Sequence, residues 1–594
     1  MNELLYVPPA LIALAALPIV ALSSRRTAHA TGVLALLGTV VWGLLVPEGT
    51  GLTVRFLGFD VVAVSIDPFS RLMVLIFGGF GAAAVAFAYF AGTDTRHLLW
   101  GLGYVTASLW TVTVGDWLGL LVGWEAMAVA STMFVWLSGG SAIRAGYRYA
   151  LAHAIGGSLL IAGVAFHLFA TGGGTVPAAD PTVLHFDSGI SGGLAAILVG
   201  VGIGINAAIL GLHAWLPGTY PAPHAATSVF LACYTTKTAV YAFHRAFPDG
   251  NMVLAYAGGA MAIYGAAYAL AQKDMRRLLS YHIQAQVGFM LVGIGIGSAV
   301  GVAGGFAHLF NHILYKGLLF MAAGVIILRF GVNRLDEFGA IGRSAPIVFG
   351  AFLVGALSIS GVPGFNGFVS KAMISDAVSA DGSTLLYVML WGGSVGTFAS
   401  FAKFGYYAFL SGDPIEMSDA GRGHTVVLGA IAGACVLFGL YYSLLVQWLP
   451  FSETVTVAPY TTDKILTAVV YGVVGVGAFL AGRPVLQRLH GGIDVDRVHD
   501  PLVFYTTRGA STSLGNGFNA VDRAVGRCAR GAKDAVRRPD LAIRRVVPTS
   551  IREQYEQRLV QTPGKTGFKL GVRMTVFVTG MVLGTTAIIA LLVI

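Results

Sequence analysis

The stretch Phe306-Ala307-His308-Leu309-Phe310-Asn311-His312-Ile313-Leu314-Tyr315-Lys316-Gly317-Leu318-Leu319-Phe320 decides how this chain folds. It lies in a run, residues 301–329, that is otherwise apolar and long enough as a helix to cross the hydrocarbon core of a bilayer. Yet His308, His312 and Lys316 recur every four residues, which places all three on one face of a helix. A charge at the centre of a membrane helix costs about 2.5 to 3.5 kcal/mol on insertion scales, so such a row marks function by default. The whole chain has the same character. Of its 594 residues 56% are apolar and 11% charged, and the mean hydropathy is +0.75. No water-soluble core of this size would hide so much apolar surface. The 80 glycines suit helices packed closely in lipid.

Reading outward with a window of roughly 20 apolar residues gives about sixteen spans, the first at 4–22 and the last at 570–594. The fold class is therefore an all-α membrane protein of about 14 to 16 transmembrane helices. The first span runs into Ser23-Ser24-Arg25-Arg26, a flank unlike that of a cleaved leader. Residues 1–96 form the N-terminal helices, 97–247 and 251–411 two central blocks, and 424–487 the C-terminal helices. A polar segment, 488–569, precedes the final span at 570–594. Loops carrying Arg25, Arg26, Arg96, Arg144, Arg148, Lys273, Arg276, Arg277, Arg329, Arg334 and Arg343 alternate with loops carrying Glu48, Asp60, Asp180, Asp187, Asp249, Asp381 and Glu453. The basic set is expected in the cytoplasm, which puts both termini outside a cell membrane and segment 488–569 inside. Within that segment Phe518, Val521, Ala524 and Val525 alternate with Arg523, Arg527, Arg530 and Lys533, the pattern of a basic amphipathic helix on a membrane surface. The charge comes without aromatic interleaving, so nucleic acid is not the expected partner.

Further ionisable residues fall inside spans: Glu125 in the fifth, Lys237 midway along the eighth, and Lys371 just after Phe365-Asn366-Gly367-Phe368-Val369-Ser370. Burial favours neutral lysine and protonated carboxyl, and histidine titrates near neutral pH, so these groups suit a proton relay. Asp116 reads as a helix-start residue. His213, His224 and His282 read equally well as gates or as caps. His308 and His312 lack the third ligand a metal site needs. Cys233, Cys435 and Cys528 lie too far apart in sequence for a sulfur framework. The glycines from Gly293 to Gly305 lack the strand and lysine of a phosphate loop and read as helix packing. The reading calls for no cofactor and no metal. Helix breakers mark two spans, at Pro217 to Pro223 and at Gly361-Val362-Pro363-Gly364. At membrane depth such breaks are tolerated only where protein or a water-filled cavity satisfies the backbone. They fall five spans apart, an odd offset that inverts the second copy, so the blocks 97–247 and 251–411 are expected to be two inverted five-helix repeats with discontinuous helices.

On these residues the chain resembles the antiporter-like subunit family shared by Mrp-type cation/proton antiporters, respiratory complex I and membrane-bound hydrogenases. The likeness covers roughly residues 65–410 and rests on motifs in the right order. They are Gly123-Trp124-Glu125, His213-Ala214-Trp215-Leu216-Pro217, Thr236-Lys237-Thr238, Asp274-Met275-Arg276-Arg277, His308 through Lys316, and Gly361-Val362-Pro363-Gly364 leading to Lys371. The resemblance implies that Glu125, Lys237, His308, His312, Lys316 and Lys371 move protons along a hydrated midplane axis, with Lys371 near the outer side. Asn206 departs from the pattern, because the family has there the lysine that pairs with the glutamate. Arg148 or His153 is the expected substitute, with His213, Pro217 and Pro363 as accessory or gating positions.

The Lys237 motif looks most like the D subunit of Mrp antiporters, whereas the long segment before a last span is similar to the lateral helix of a distal complex I subunit. The resemblance thus implies a transport subunit rather than an enzyme. It would work in the bilayer with other membrane subunits and exchange protons for a cation, sodium in the first instance. Its alternatives are a pump module of a redox-driven complex, the proton motor of an inorganic-carbon uptake complex, and a scaffold that has lost transport.

Overall fold

A computed structural model of the chain describes residues 6–56, 58–171, 184–186, 189–337, 339–413, 418–488, 496–537, 549–551 and 553. It divides into two units, Met1–Val495 and Asp496–Ile594. The first unit begins with α1 (Pro9–Leu22) and α2 (Arg25–Leu45), followed by a hairpin of β1 (Gly49–Phe56) and β2 (Phe59–Ile66). Then come α3 (Pro68–Phe90), α4 (Thr95–Thr113), α5 (Trp117–Trp136), α6 (Ser141–Thr171), α7 (Leu194–Asn206), α8 (Trp215–Thr219), α9 (Ala225–Leu231) and α10 (Thr235–Ala246). A second run comprises α11 (Met252–Ala271), α12 (Met275–Ile296), α13 (Ala299–Phe330), α14 (Pro346–Ser360), α15 (Asn366–Asp381), α16 (Thr384–Gly405), α17 (Arg422–Leu440), α18 (Ser443–Val446) and α19 (Thr462–Arg488). Among the described residues ten helices are long and apolar enough to cross a membrane, and Pro9–Leu22, Leu194–Asn206 and Pro346–Ser360 are shorter apolar helices beside them. The expected last span, 570–594, lies outside the described residues.

Polar residues at the loop ends set the helix starts. Ser24, Asp67, Asp94, Asp116, Asn251, Asp274, Ser298 and Ser383 each accept from a backbone N–H in the first turn of the following helix, satisfying donors that have no partner within the helix. Asp116 thus has the capping role expected of it, and its other carboxylate oxygen accepts from the N–H of Val62 in β2 at 2.6 Å. That hairpin is a departure from the all-helical expectation. Its residues alternate too weakly to stand out beside long apolar runs, and it pairs Gly49 with Ile66 through Phe56 with Phe59.

The two loop families meet on opposite faces. On one, Arg25 donates to the carbonyl of Thr93 at 2.6 Å, Arg276 to that of Pro223 at 2.6 Å, and Lys273 pairs with Asp336 at 3.1 Å. On the other, Arg71 pairs with Glu48 at 3.4 Å, Arg245 with Asp67 at 2.6 Å, and Lys464 with Asp376 at 2.7 Å.

Three interruptions cut the spans. The first opens at Ala207, directly after α7 and ahead of the prolines, and Pro217 sits inside the short α8. The second corrects the expected continuous eighth span, the one holding Lys237, which is cut at Ala232-Cys233-Tyr234 between α9 and α10. No proline or glycine marks this break, so hydropathy reads straight through it. The third separates α14 from α15 at Gly361–Phe365. There Gly361 closes α14 at φ 82°, a left-handed backbone that glycine adopts without penalty. Pro363 stands in this gap.

The second unit contains α20 (Asp496–Arg537), 42 residues long, which includes the amphipathic stretch around Phe518. Val521 and Val525 are exposed along it.

Candidate functional site

The break before α10 changes what Lys237 does. It lies in the first turn after the interruption rather than midway along a helix, and its ammonium donates to the carbonyl of Ala232 at 2.6 Å and to Thr236 Oγ1 at 3.0 Å. Ala232 ends α9, so the lysine satisfies a carbonyl released by the break while remaining 0% exposed.

Facing it is α13, whose central residues are all buried. His312 lies within electrostatic reach of Lys237, Lys316, His308 and His282, and neither of its ring nitrogens has a hydrogen-bond partner among the described residues. Lys316 donates to the carbonyl of Leu279 in α12 at 3.2 Å. His308 donates from Nε2 to Gln286 Oε1 at 3.0 Å, and its Nδ1 meets Ser370 Oγ at 2.9 Å. Tyr315 also approaches His308 Nε2, at 3.2 Å. The row expected from the four-residue spacing therefore exists, and a second helix completes it: Gln286 and His282, four apart on α12, stand beside His308 and Lys316.

Ser370 leads to Lys371 on α15. The Lys371 Nζ is buried without a hydrogen-bond partner among the described residues and lies 4.7 Å from the centre of the Phe289 ring. Its side chain lines a cavity of about 140 Å³ that also presents Ser375, Asp376, Ser394 and Lys464, on the face carrying the acidic loops. Lys237, Lys316 and Lys371 have no carboxylate within ion-pair distance among the described residues. An isolated ammonium in such surroundings costs several kcal/mol. These positions are stable only where water reaches them or a proton can leave.

The first block is put together differently. Glu125 is half-buried on α5, between exposed Val122 and Val129. It packs against Gly157 of α6 so closely that a Cβ there would overlap its Oε1. Asn206 is fully buried and neither atom of its amide is paired among the described residues. His153 lies one helical turn before Gly157, stacked on Tyr149 at 3.9 Å and edge-on to Trp215 at 4.6 Å. Its Nδ1 meets the carbonyl of Tyr149 at 3.0 Å, and its Nε2 has no partner among the described residues. Trp215 in turn donates to the carbonyl of Ile205, next to Asn206, at 2.8 Å. Arg148 turns toward Gly218 of α8, 3.4 Å from a Cβ built there. His213 lies beside Tyr264, with ring centres 5.1 Å apart. Of the two expected substitutes for the missing lysine, His153 is the one on the Glu125 side of α6.

The sequence reading missed Gln286, Ser370 and Tyr315, which are uncharged, and Lys403. Lys403 stands near the end of an apolar span and resembles a flanking interfacial lysine, but it is only 4% exposed.

The family profile described as NADH:quinone oxidoreductase/Mrp antiporter, TM, matches residues 114–397. The chain is 30% identical over 372 residues to the N subunit of the NADH-quinone oxidoreductase of Desulforudis audaxviator, covering 59% of this chain and 74% of that protein. It is 30% identical over 382 residues to the D subunit of the Na(+)/H(+) antiporter of Alkalihalophilus pseudofirmus, covering 60% and 76%. Its fold is similar to a chain of the Mrp complex from Dietzia sp. DQ12-45-1b, with TM-score 0.66 at 21% identity over 82% of this chain and 99% of that one. These likenesses, together with the buried lysines and histidines at the motif positions, establish that the chain belongs to the NADH:quinone oxidoreductase/Mrp antiporter transmembrane family.

Proposed function

We propose that this chain is the proton-conducting subunit of a multisubunit cation/proton antiporter, with sodium as the opposing ion. The observation that carries the reading is a connected line of titratable side chains at membrane depth without carboxylate partners. It runs from Lys237 through His312, Lys316 and His308 to Lys371, and water, not ion pairing, must stabilise it. A membrane potential drives such a line at about 2.3 kcal/mol per charge per 100 mV. The face with Lys273 and Arg276 is cytoplasmic and the face with Asp376 and Lys464 is outside, so Lys371 stands at the outer mouth. Both termini lie outside and segment 488–569 lies inside. The breaks at Ala207 and Gly361 relate the blocks 97–247 and 251–411 as inverted repeats. His153 stands in for the absent lysine beside Asn206, and Glu125 takes its cation from His153 or from a neighbouring subunit. The partners are other membrane subunits, in keeping with the relatives' membership of Mrp and respiratory complexes.

The test is transport by the reconstituted complex bearing Lys237→Ala, with sodium and pH gradients imposed independently. Loss of proton flux is expected, and unchanged proton and sodium fluxes would refute the role. The likeness to the NADH-quinone oxidoreductase chain supports a second reading, a pump module worked by redox partner chains. Proton flux that requires an electron donor, and not a sodium gradient, would select it.

A further inference from the structure

The helix α16 carries a row of polar side chains that the charged motifs do not include. Ser394, Thr397, Ser400 and Lys403 follow one another every three residues, and all are buried. Such a row winds around a helix surface as a ridge, so its members turn toward different neighbours in succession. Ser394 lines the outer cavity with Lys371. Thr397 accepts from Gln286 Nε2 at 3.4 Å, and Gln286 holds His308. Ser400 Oγ meets His282 Nε2 at 2.5 Å, and His282 is within electrostatic reach of Lys316 and Lys371. The Ser400 hydroxyl donates to the carbonyl of Gly396 at 2.8 Å, so it accepts from the imidazole N–H. That leaves His282 Nδ1 as the bare nitrogen, and it has no partner among the described residues.

The row ends at a second cavity, of about 340 Å³, on the basic face. Lys403 lines it together with Lys273, Asp336, Tyr407, Ser411 and Leu486. The Tyr407 hydroxyl is buried there without a hydrogen-bond partner among the described residues, and a buried hydroxyl in a polar cavity is ordinarily held by water. Directly after Lys403 the helix relaxes into a π-helical turn, Tyr406–Leu410, a distortion frequent at functional sites. The Lys403 ammonium donates to the carbonyls of Leu270 and Gln272 at 2.7 and 2.6 Å. Those bonds engage two of its three donors and cap the end of α11.

We propose that Lys403 is the proton-transferring residue at the cytoplasmic mouth, and that the α16 row with His282 joins it to Lys316. The inference rests on the proton-transport reading above. In the step, the Lys403 ammonium releases one proton to water in the cavity; Lys316 then gives a proton to the bare Nδ1 of His282, the His282 Nε2 proton passes to Ser400 Oγ, and the Ser400 hydroxyl proton passes through water to the neutral Lys403 amine. One proton leaves and one arrives, so the charge on Lys403 is restored each cycle, and a ring flip returns His282 to its starting tautomer. The competing account makes Lys403 a structural cap only.

Arginine separates the two. Lys403→Arg keeps a cation and its donors for the carbonyls of Leu270 and Gln272 but does not give up a proton. In the full reconstituted complex the relay requires proton flux to fall roughly tenfold or more in Lys403→Arg and in Ser400→Ala, with assembly unchanged. Flux within about twofold of wild type in both variants, while Lys237→Ala abolishes it, overturns the role of Lys403 and leaves the transport reading standing. If Lys403→Arg does not assemble, Ser400→Ala decides alone, since it removes one hydroxyl and no charge. Retained flux there overturns the proposal and lost flux upholds it.

Discussion

The two central blocks both bury polar groups but connect them differently. In residues 251–411 the buried titratable groups are held by polar partners or lie within electrostatic reach of one another: His308 is held by Gln286 and Ser370, Lys316 by the carbonyl of Leu279, and His312 lies near four titratable groups. One cavity opens at Lys371 and another at Lys403. In residues 97–247, by contrast, Glu125 lies between exposed Val122 and Val129, and Asn206 is buried with its amide unpaired among the described residues. An amide does not titrate, and on the proton-transport reading a half-exposed carboxylate with no ion-pair partner among the described residues ends a path rather than continuing it. On the proton-transport reading, conduction within this chain is therefore concentrated in the second block together with Lys237, and the first block faces a neighbour.

The sharpest way to break this contrast is Lys316→Met, which keeps the side-chain volume and removes the titrating group from the centre of the line. Proton flux through the reconstituted complex should fall on the order of a hundredfold. A smaller loss than that of any first-block variant would reverse the assignment. Lys371→Met tests one end of the same line. Flux should fall roughly tenfold or more, because the cavity bounded by Asp376 and Lys464 then leads to an apolar side chain. An unaffected flux would mean that protons leave elsewhere.

How much of this the sequence discloses depends on whether a feature is charged. His308, His312 and Lys316 stand out because polar residues are rare in an apolar run, and their four-residue spacing fixes a helix face. Gln286, Ser370 and the hydroxyls of α16 do not stand out, since serine, threonine and glutamine are tolerated in membrane helices at little cost. Lys403 is concealed by its place near a helix end, where lysine ordinarily reaches out to water. The interruption at Ala232–Tyr234 is concealed as well: its carbonyl is satisfied by Lys237 some residues ahead, a tertiary solution that leaves no glycine or proline behind. The break at Gly361 is legible because its left-handed backbone requires the residue that marks it.

Glu125→Gln probes the first block directly. Because the carboxylate is half-exposed and has no partner within the described chain, its charge should be worth no more than about fivefold in flux within this subunit. A loss as large as that of Lys316→Met would show that a neighbouring subunit, or His153, holds it as firmly as the second block holds its own groups.

The smallest effects sharpen the contrast through packing. Alanine at a helical glycine gains up to about 1 kcal/mol in propensity, so the outcome is decided by what the new methyl meets. At Gly258 of α11 it would stand 2.5 Å from the carbonyl oxygen of Gly288 and 2.9 Å from the N–H nitrogen of Val292. Both are backbone, and two helices must separate at a cost of about 1 to 3 kcal/mol. At Gly157 the obstacle is the tip of the Glu125 side chain, which can swing aside. Gly258→Ala should therefore lower thermal stability by a few degrees, whereas Gly157→Ala should leave stability nearly unchanged and alter flux only as far as Glu125→Gln does. Equal destabilisation by the two variants, in unfolding scans of the purified complex, would mean that Glu125 is locked in place. The first block would then be no looser than the second.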